Sequence, residues 1–180
     1  MEEVDHYRRF ARLLRDLGHD VGHMVHQPKS ERTYFPADSM TVKFERWEER
    51  AAFSFLCELE GHFQINEMVT STYAPLRREA AVILREEAAH FAHGAKLMKM
   101  AAEKSDTLAA AQAAVNRFYP MALDMFGRSA SRRSETAVRW GLRRLTNSEL
   151  RERYKVEIST HLTRLGYDVP VDDPSKRRFL

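Results

Sequence analysis

A single cysteine, Cys57, stands in 180 residues, which excludes an internal disulfide framework and a cysteine-rich zinc site. Any metal must then be held by Glu, Asp and His. Seven glycines and six prolines leave long stretches of Ala, Leu, Glu, Arg and Met, which favour helix over strand. No apolar run approaches the roughly 20 residues that span a bilayer, and the amino terminus lacks a basic-then-apolar leader pattern. The expected address is therefore the cytoplasm, without a membrane partner. No Arg/Lys stripe is interleaved with aromatics and no recognised nucleic-acid motif is present, so nucleic acid is not an expected partner. Hydrophobic residues at 43% and charged ones at 31% mark a folded globular chain, long enough for one domain with a sizeable core.

The net charge of +3 is unevenly spread. From Arg128 onward thirteen Lys+Arg face seven Asp+Glu, which leaves sixteen against nineteen for residues 1–127. A basic carboxy-terminal third is a solvated helical surface or a seat for an anionic partner. The expected organisation is one domain, 1–180. Residues 1–127 form the metal-ligand helices and bundle core, and residues 128–180 the basic carboxy-terminal helices and tail.

Periodicity and punctuation predict the elements. Residues 1–17 read as a helix with Phe10, Leu13, Leu14 and Leu17 on one face, stopped by Gly18. Residues 18–39, with Pro28 and Pro36, read as a loop whose His19, His23 and His26 lie at the surface. A long helix is expected over Met40–Thr72, with Ala51, Phe55, Ile65 and Val69 inward. Pro75 suits the first turn of the next, which runs to about Glu103. Ser105 or Asp106 should cap a helix toward Gly127, kinked or interrupted by Pro120. A shorter helix is expected over Ser134–Leu145. Thr146-Asn147-Ser148-Glu149 is a capping-box pattern opening a last helix that ends at Gly166. Val169–Leu180 should be an extended tail.

Charge appears where a helix of this kind should have none. From Ala80 to Met98, positions 80, 83, 84, 87, 90, 91, 94 and 98 share one face, apolar or small except for Glu87 and His90. A buried carboxylate needs a partner, a hydrogen bond or a metal. Glu and His three apart can both reach one ion on a bundle axis, and two such pairs plus carboxylates from two other helices make a di-iron carboxylate site. Glu3 and His6 repeat the spacing on the face of Phe10, Leu13 and Leu17. Glu58 interrupts the apolar face between Phe55 and Ile65. The candidate ligands are thus Glu3, His6, Glu58, Glu87 and His90, with Glu3, Glu58 and Glu87 as the catalytic carboxylates. In this register Glu60, Glu86 and His93 point into solvent, and His62 is a core or supporting histidine rather than a ligand.

Beyond these motifs, Asn116-Arg117-Phe118, Ala122-Leu123, Met125-Phe126-Gly127, Thr146-Asn147, Glu149-Leu150-Arg151, Arg153, Leu165-Gly166 and Val169-Pro170 occur in an order and spacing of their own. Together with Glu86-Glu87-x-x-His90, Glu3-x-x-His6 followed by Gly18, and Glu58, they resemble the catalytic A subunits of bacterial phenylacetyl-CoA epoxidases. The resemblance spans essentially the whole chain. It implies a ferritin-like, all-α bundle with extra carboxy-terminal helices. It further implies a di-iron centre that activates O2 and places an oxygen across the ring of phenylacetyl-CoA or a related aromatic acyl-CoA. The implied partners are an NADPH-dependent flavin and iron-sulfur reductase and a sister ferritin-like subunit, in a homo- or hetero-oligomer. Arg132, Arg133, Arg143 and Arg144 become candidates to hold the CoA phosphates.

The sequence departs from that pattern in one place. The family carries another helix, with a further carboxylate ligand, before its first Glu-x-x-His, whereas Glu3 lies two residues from Met1. Five of six ligands are therefore expected in this chain. Three explanations stay open: a shortened form of a longer enzyme, a bundle completed by another chain, or a subunit without oxygen chemistry. The functional alternatives are a ferritin-like metal-binding protein and a metal-free scaffold subunit. Keeping five inward polar residues weighs against the scaffold, which apolar replacements would stabilise.

Overall fold

The computed structural model describes residues 2–31 and 42–179. The expected helix start at Met40 and loop positions 32–39 lie outside them. Among the described residues there are seven helices and no strand. In chain order they are α1 Glu2–Asp16, α2 His23–His26, α3 Trp47–Met68, α4 Ala74–Ala101, α5 Ser105–Met125, α6 Arg132–Arg139 and α7 Asn147–Arg164. Short 3-10 turns sit at Lys29–Glu31 and Pro174–Lys176. The chain is an all-α, ferritin-like helical bundle.

Several boundaries differ from the expected ones, each for a local reason. The long helix does not reach back to Val42. It begins at Trp47, because Arg46 is extended and the acids of the first turn fix the start. The Glu49 carboxylate accepts the Glu45 backbone N–H at 2.7 Å. Phe44, ahead of the helix, packs edge-on to Phe53 and Phe118 at 5.1 and 6.0 Å between centroids. The helix ends at Met68, short of Thr72.

The expected loop after α1 contains the single turn of α2, and His19, His23 and His26 are exposed as expected. Ser105 is the first residue of α5 rather than its cap, which is Lys104, and Pro120 does not interrupt that helix. The helix expected over 134–145 is α6, which starts two residues earlier, where the Ser131 hydroxyl accepts the Ser134 N–H. It stops at Arg139 because Gly141 takes φ +68° and the Leu142 N–H reaches the Ala137 carbonyl at 2.9 Å. That left-handed closure suits glycine. The capping box opening α7 has both halves in place, and Gly166, at φ +83°, closes the helix one residue beyond Leu165.

Three helices pack on α3, namely α4, α5 and α7. Its Ala51, Ala52, Phe55, Leu56 and Leu59 join Met98 and Ala101 of α4, Val115, Phe118, Ala122 and Leu123 of α5, and Leu150, Tyr154, Ile158 and Leu162 of α7 in one core. The last four recur every fourth residue, the stripe of a helix lying on a core. Two buried phenols tie the layers: Tyr154 donates to the Leu56 carbonyl at 2.9 Å and Tyr167 to that of Met98 at 2.7 Å. The tail is anchored too, since the buried Asp124 carboxylate accepts the N–H groups of Arg178 and Phe179.

By contrast, α1 packs on α4, with Ala11 and Leu13 buried but Leu14 and Leu17 of the expected inner face exposed. Charge supplements that contact: Arg9 reaches Glu79 at 2.8 Å and Arg12 reaches it at 3.4 Å. Among the described residues no helix is long and apolar enough to cross a membrane.

Candidate metal centre

The site lies where α1, α3 and α4 meet, and its position follows from how closely α3 and α4 approach. A short connection, residues 69–73, turns the chain back, so the two helices run antiparallel as neighbours. They touch at Gly94, where a Cβ would fall 2.7 Å from the Phe55 backbone nitrogen and 2.9 Å from its Cα. Only a residue without a side chain permits that approach. One turn along each helix from this contact stand His90 and Glu58. Further along, Gly61 faces Glu87 across the gap, with 3.7 Å between a Cβ there and the carboxylate.

All five candidate ligands converge. Glu3, His6 and Glu87 form one group and Glu58, Glu87 and His90 a second, with the donor atoms of each group within 4.8 Å of one another. Glu87 belongs to both. Its Oε1 lies 3.5 Å from His6 Nδ1 and its Oε2 lies 3.7 Å from His90 Nδ1. Glu3 divides its oxygens in the same way, 3.5 Å from His6 Nδ1 and 3.8 Å from His90 Nδ1. Glu58 Oε2 stands 3.9 Å from His90 Nδ1. The result is two adjacent half-sites, each with its own imidazole, spanned by two carboxylates.

Burial is uneven. His6 and Glu87 are 7% and 8% exposed, Glu58 and His90 are half-buried, and the Glu3 side chain is 74% exposed. Desolvation pushes the Glu87 carboxyl above the usual range, and the neighbouring Glu58 and Glu3 charges push it further. Glu58 is raised as well, by burial first, with His90 opposing and Glu3 adding to the shift. Carboxylates crowded at low solvent exposure hold a proton or need a cation.

The donor chemistry suits such a cation. Donor atoms about 2.1 Å from a first-row divalent ion can be at most about 4.2 Å apart, and the imidazole–carboxylate separations here run from 3.5 to 3.9 Å. Two imidazoles with hard carboxylate oxygens suit iron and leave coordination positions open.

Two residues expected in solvent are not there. Glu86 lies beside α1 and contacts His6, its Oε2 2.8 Å from His6 Nε2. Glu60 is only 2% exposed. Its carboxyl is pushed up to about 8 by burial, against the lowering effects of the Gln64 hydrogen bond and Arg143. Glu60 is buried because α3 is covered on several sides, which a two-faced description of the helix does not capture. The pairing of Glu86 has one signal in the sequence, its position next to Glu87 as a doublet. His93 is exposed, and His62 is half-buried.

The four arginines proposed for phosphate contacts differ in setting. Arg132 and Arg133 are exposed at the start of α6. Arg143 donates to Asn147 at 3.0 Å, and Arg144 reaches the buried Glu67 at 2.9 Å.

Comparison with known proteins agrees with the geometry. The family described as "Phenylacetic acid catabolic protein" matches residues 2–178. The chain is also 33% identical over 106 residues to one of the subunits of the 1,2-phenylacetyl-CoA epoxidase of Escherichia coli (strain K12). That similarity covers 57% of this chain and 34% of the relative's length. The fold, the converging Glu and His residues and a match over nearly its whole length place this chain in the phenylacetic acid catabolic protein family.

Proposed function

We propose that this chain is a component of a di-iron oxygenase that epoxidises or hydroxylates the ring of phenylacetyl-CoA or a related aromatic acyl-CoA. The observation that carries this reading is the sharing of Glu87 and Glu3 between His6 and His90. A carboxylate with one oxygen for each of two imidazoles suits a pair of ions, not one. Bound iron would supply redox chemistry and O2 activation there.

The chain's own residues then divide the work. Glu3 and Glu87 would be shared by the pair, His6 would hold one ion, and His90 with Glu58 would hold the other. His6 and Glu87, nearly buried, keep bulk water from the inner side. Among the described residues the His6 half-site has no further carboxylate to match Glu58, and the rest of its ligands would come from outside these residues. Arg132 and Arg133 at the start of α6, and Arg144, exposed beside Glu67, are the accessible candidates for CoA phosphates. An NADPH-dependent reductase with flavin and an iron-sulfur cluster, together with a sister subunit, completes the reading, and the cytoplasm is its expected place.

The test is iron content after anaerobic Fe(II) loading and desalting. About two irons per chain are expected for the wild type. Glu87→Ala and His90→Ala should lose iron while keeping the helical circular dichroism of the parent. Iron near zero in the wild type, or full iron in both variants, would refute the reading. A metal-free scaffold predicts instead that Glu87→Leu is neutral or stabilising.

A further inference from the structure

We propose that the cleft between α1 and α2 is a binding site for a small diphosphate ester of the size and kind of a nucleoside diphosphate. The cleft encloses about 800 Å3, within the range of roughly 300–1,000 Å3 usual for small-molecule sites. It lies on the outer side of α1 and uses none of the candidate metal ligands, so it stands apart from the di-iron reading.

Four arginines, Arg8, Arg9, Arg12 and Arg15, line the cleft against a single carboxylate, Asp5. That carboxylate is already engaged, since Arg9 reaches it at 2.6 Å and reaches Glu79 at 2.8 Å as well. Arg12 has a longer contact with Glu79, at 3.4 Å, and its side chain is 59% exposed. Arg8 and Arg15 are exposed and pair with no carboxylate among the described residues. Positions 8, 12 and 15 are four and three apart, so the three guanidiniums share one face of α1, opposite that of Glu3 and His6. They are spread over about 10 Å of helix axis. A diphosphate can be held by two of them at once, each through a fork that matches its oxygens.

The remaining wall is not polar. Val4 of α1 and Val25 of α2 line the cleft and are 54% and 51% exposed. Tyr7 lies between them, and its hydroxyl donates to the Val21 carbonyl at 3.0 Å, which ties the segment before α2 to α1. A ligand of charge alone leaves this wall uncovered. A base or another flat apolar group beside the phosphates would cover it.

The test is calorimetric titration of the metal-free chain with ADP. Saturation at about one ADP per chain with Kd below about 1 mM is expected. AMP should bind about 10-fold more weakly, because one charge-assisted contact is lost. Arg8→Gln combined with Arg15→Gln breaks no ion pair of the fold, so Tm should stay unchanged while ADP affinity falls about 10–100-fold. In hydrogen exchange, ADP should slow the amides of α1 and α2.

ADP carries the same kind of phosphates as CoA, so the two seats must be told apart. Arg132→Gln combined with Arg133→Gln should leave ADP binding as it is. A loss of affinity in that variant, or protection in α6 instead of α1, would place the anion elsewhere and overturn the proposal. So would a failure to saturate below about 1 mM, or sulfate that competes as well as ADP, which would leave an adventitious anion surface only. None of these outcomes alters the iron content that tests the di-iron reading.

Discussion

Replacing Gly94 by Ala should destabilise the bundle, although alanine is the better helix former. In a helix interior the exchange gains about 1 kcal/mol of propensity. Against that, the new methyl would sit 2.7, 2.9 and 3.0 Å from the Phe55 nitrogen, the Phe55 Cα and the Ser54 carbonyl carbon, where ordinary contacts begin at 3.4 Å. All three are backbone atoms of α3, so no side chain can turn aside and the helices must part. Overpacking of this kind costs about 1–3 kcal/mol, and a rigid backbone neighbour puts the cost near the upper end. The net loss is about 2 kcal/mol, or a fall in Tm of about 4–8 °C for a chain of this size. The paired variant Gly61→Ala adds the same methyl to the same interface, but its nearest neighbour is Glu87 Oε2 at 3.7 Å. It should be neutral or raise Tm by about 2–4 °C. Thermal denaturation of both metal-free variants by circular dichroism is the assay. Equal shifts of the same sign, or a Gly94→Ala variant as stable as the parent, would refute the claim that Gly94 sets the separation of α3 and α4.

Three further outcomes follow from buried charge and from the attachment of α1. The Glu60 carboxyl is pushed up to about 8 in the folded chain, well above its value of about 4.3 when unfolded. Between these values the unfolded chain gives up a proton that the folded chain keeps, so stability falls by up to about 1.4 kcal/mol per pH unit as pH rises. Urea denaturation should therefore show Glu60→Gln gaining on the parent from about pH 5 to pH 8, with no gain below about pH 4. Glu67 is buried and accepts the backbone N–H groups of Arg144 and Leu145 at 2.7 and 2.8 Å. Glu67→Ala strands both donors and should cost about 2–5 kcal/mol in a denaturant titration. In hydrogen exchange of the metal-free chain, α1 amides should exchange faster than those of α3 and α5, and Co(II) should slow α1 most. Equal protection of α1 and α3 without metal would contradict this.

The periodic signals in the sequence are legible where one neighbour decides the outcome. A Glu-x-x-His pair in an apolar stripe needs only its own helix to be interpreted, and both pairs point into the site. The capping box at Thr146 and the stop at Gly166 are likewise local, as chain-reversal and capping chemistry usually is. The start of α3 is hidden for the opposite reason. Nothing in the composition of residues 42–46 forbids helix, and what holds them extended is the docking of Phe44 on Phe53 and on the distant Phe118 of α5. A contact at that separation has no local signature.

Glu60 and Glu86 expose the limit of assigning one inner face to each helix. In a bundle the polar side of one helix is often the floor beneath another, and which side is covered depends on the order of packing. Since α3 carries α4, α5 and α7, Glu60 is enclosed although it points away from Glu58. Since α1 crosses the flank of α4, Glu86 meets His6 although it points away from the face of Ile83 and Met98. The same fact explains the asymmetry of the site. Glu58, Glu87 and His90 are positioned by two helices whose contact is set by backbone at Gly94, whereas Glu3 and His6 arrive on a helix with a small apolar footprint and charged fastenings. Because Glu3 and His6 are carried by α1, the group of Glu3, His6 and Glu87 forms only when α1 is docked, whereas Glu58, Glu87 and His90 come from α3 and α4 alone. Cations bound there would therefore favour the docked state over the open one, and the exposed Glu3 is where that linkage is weakest.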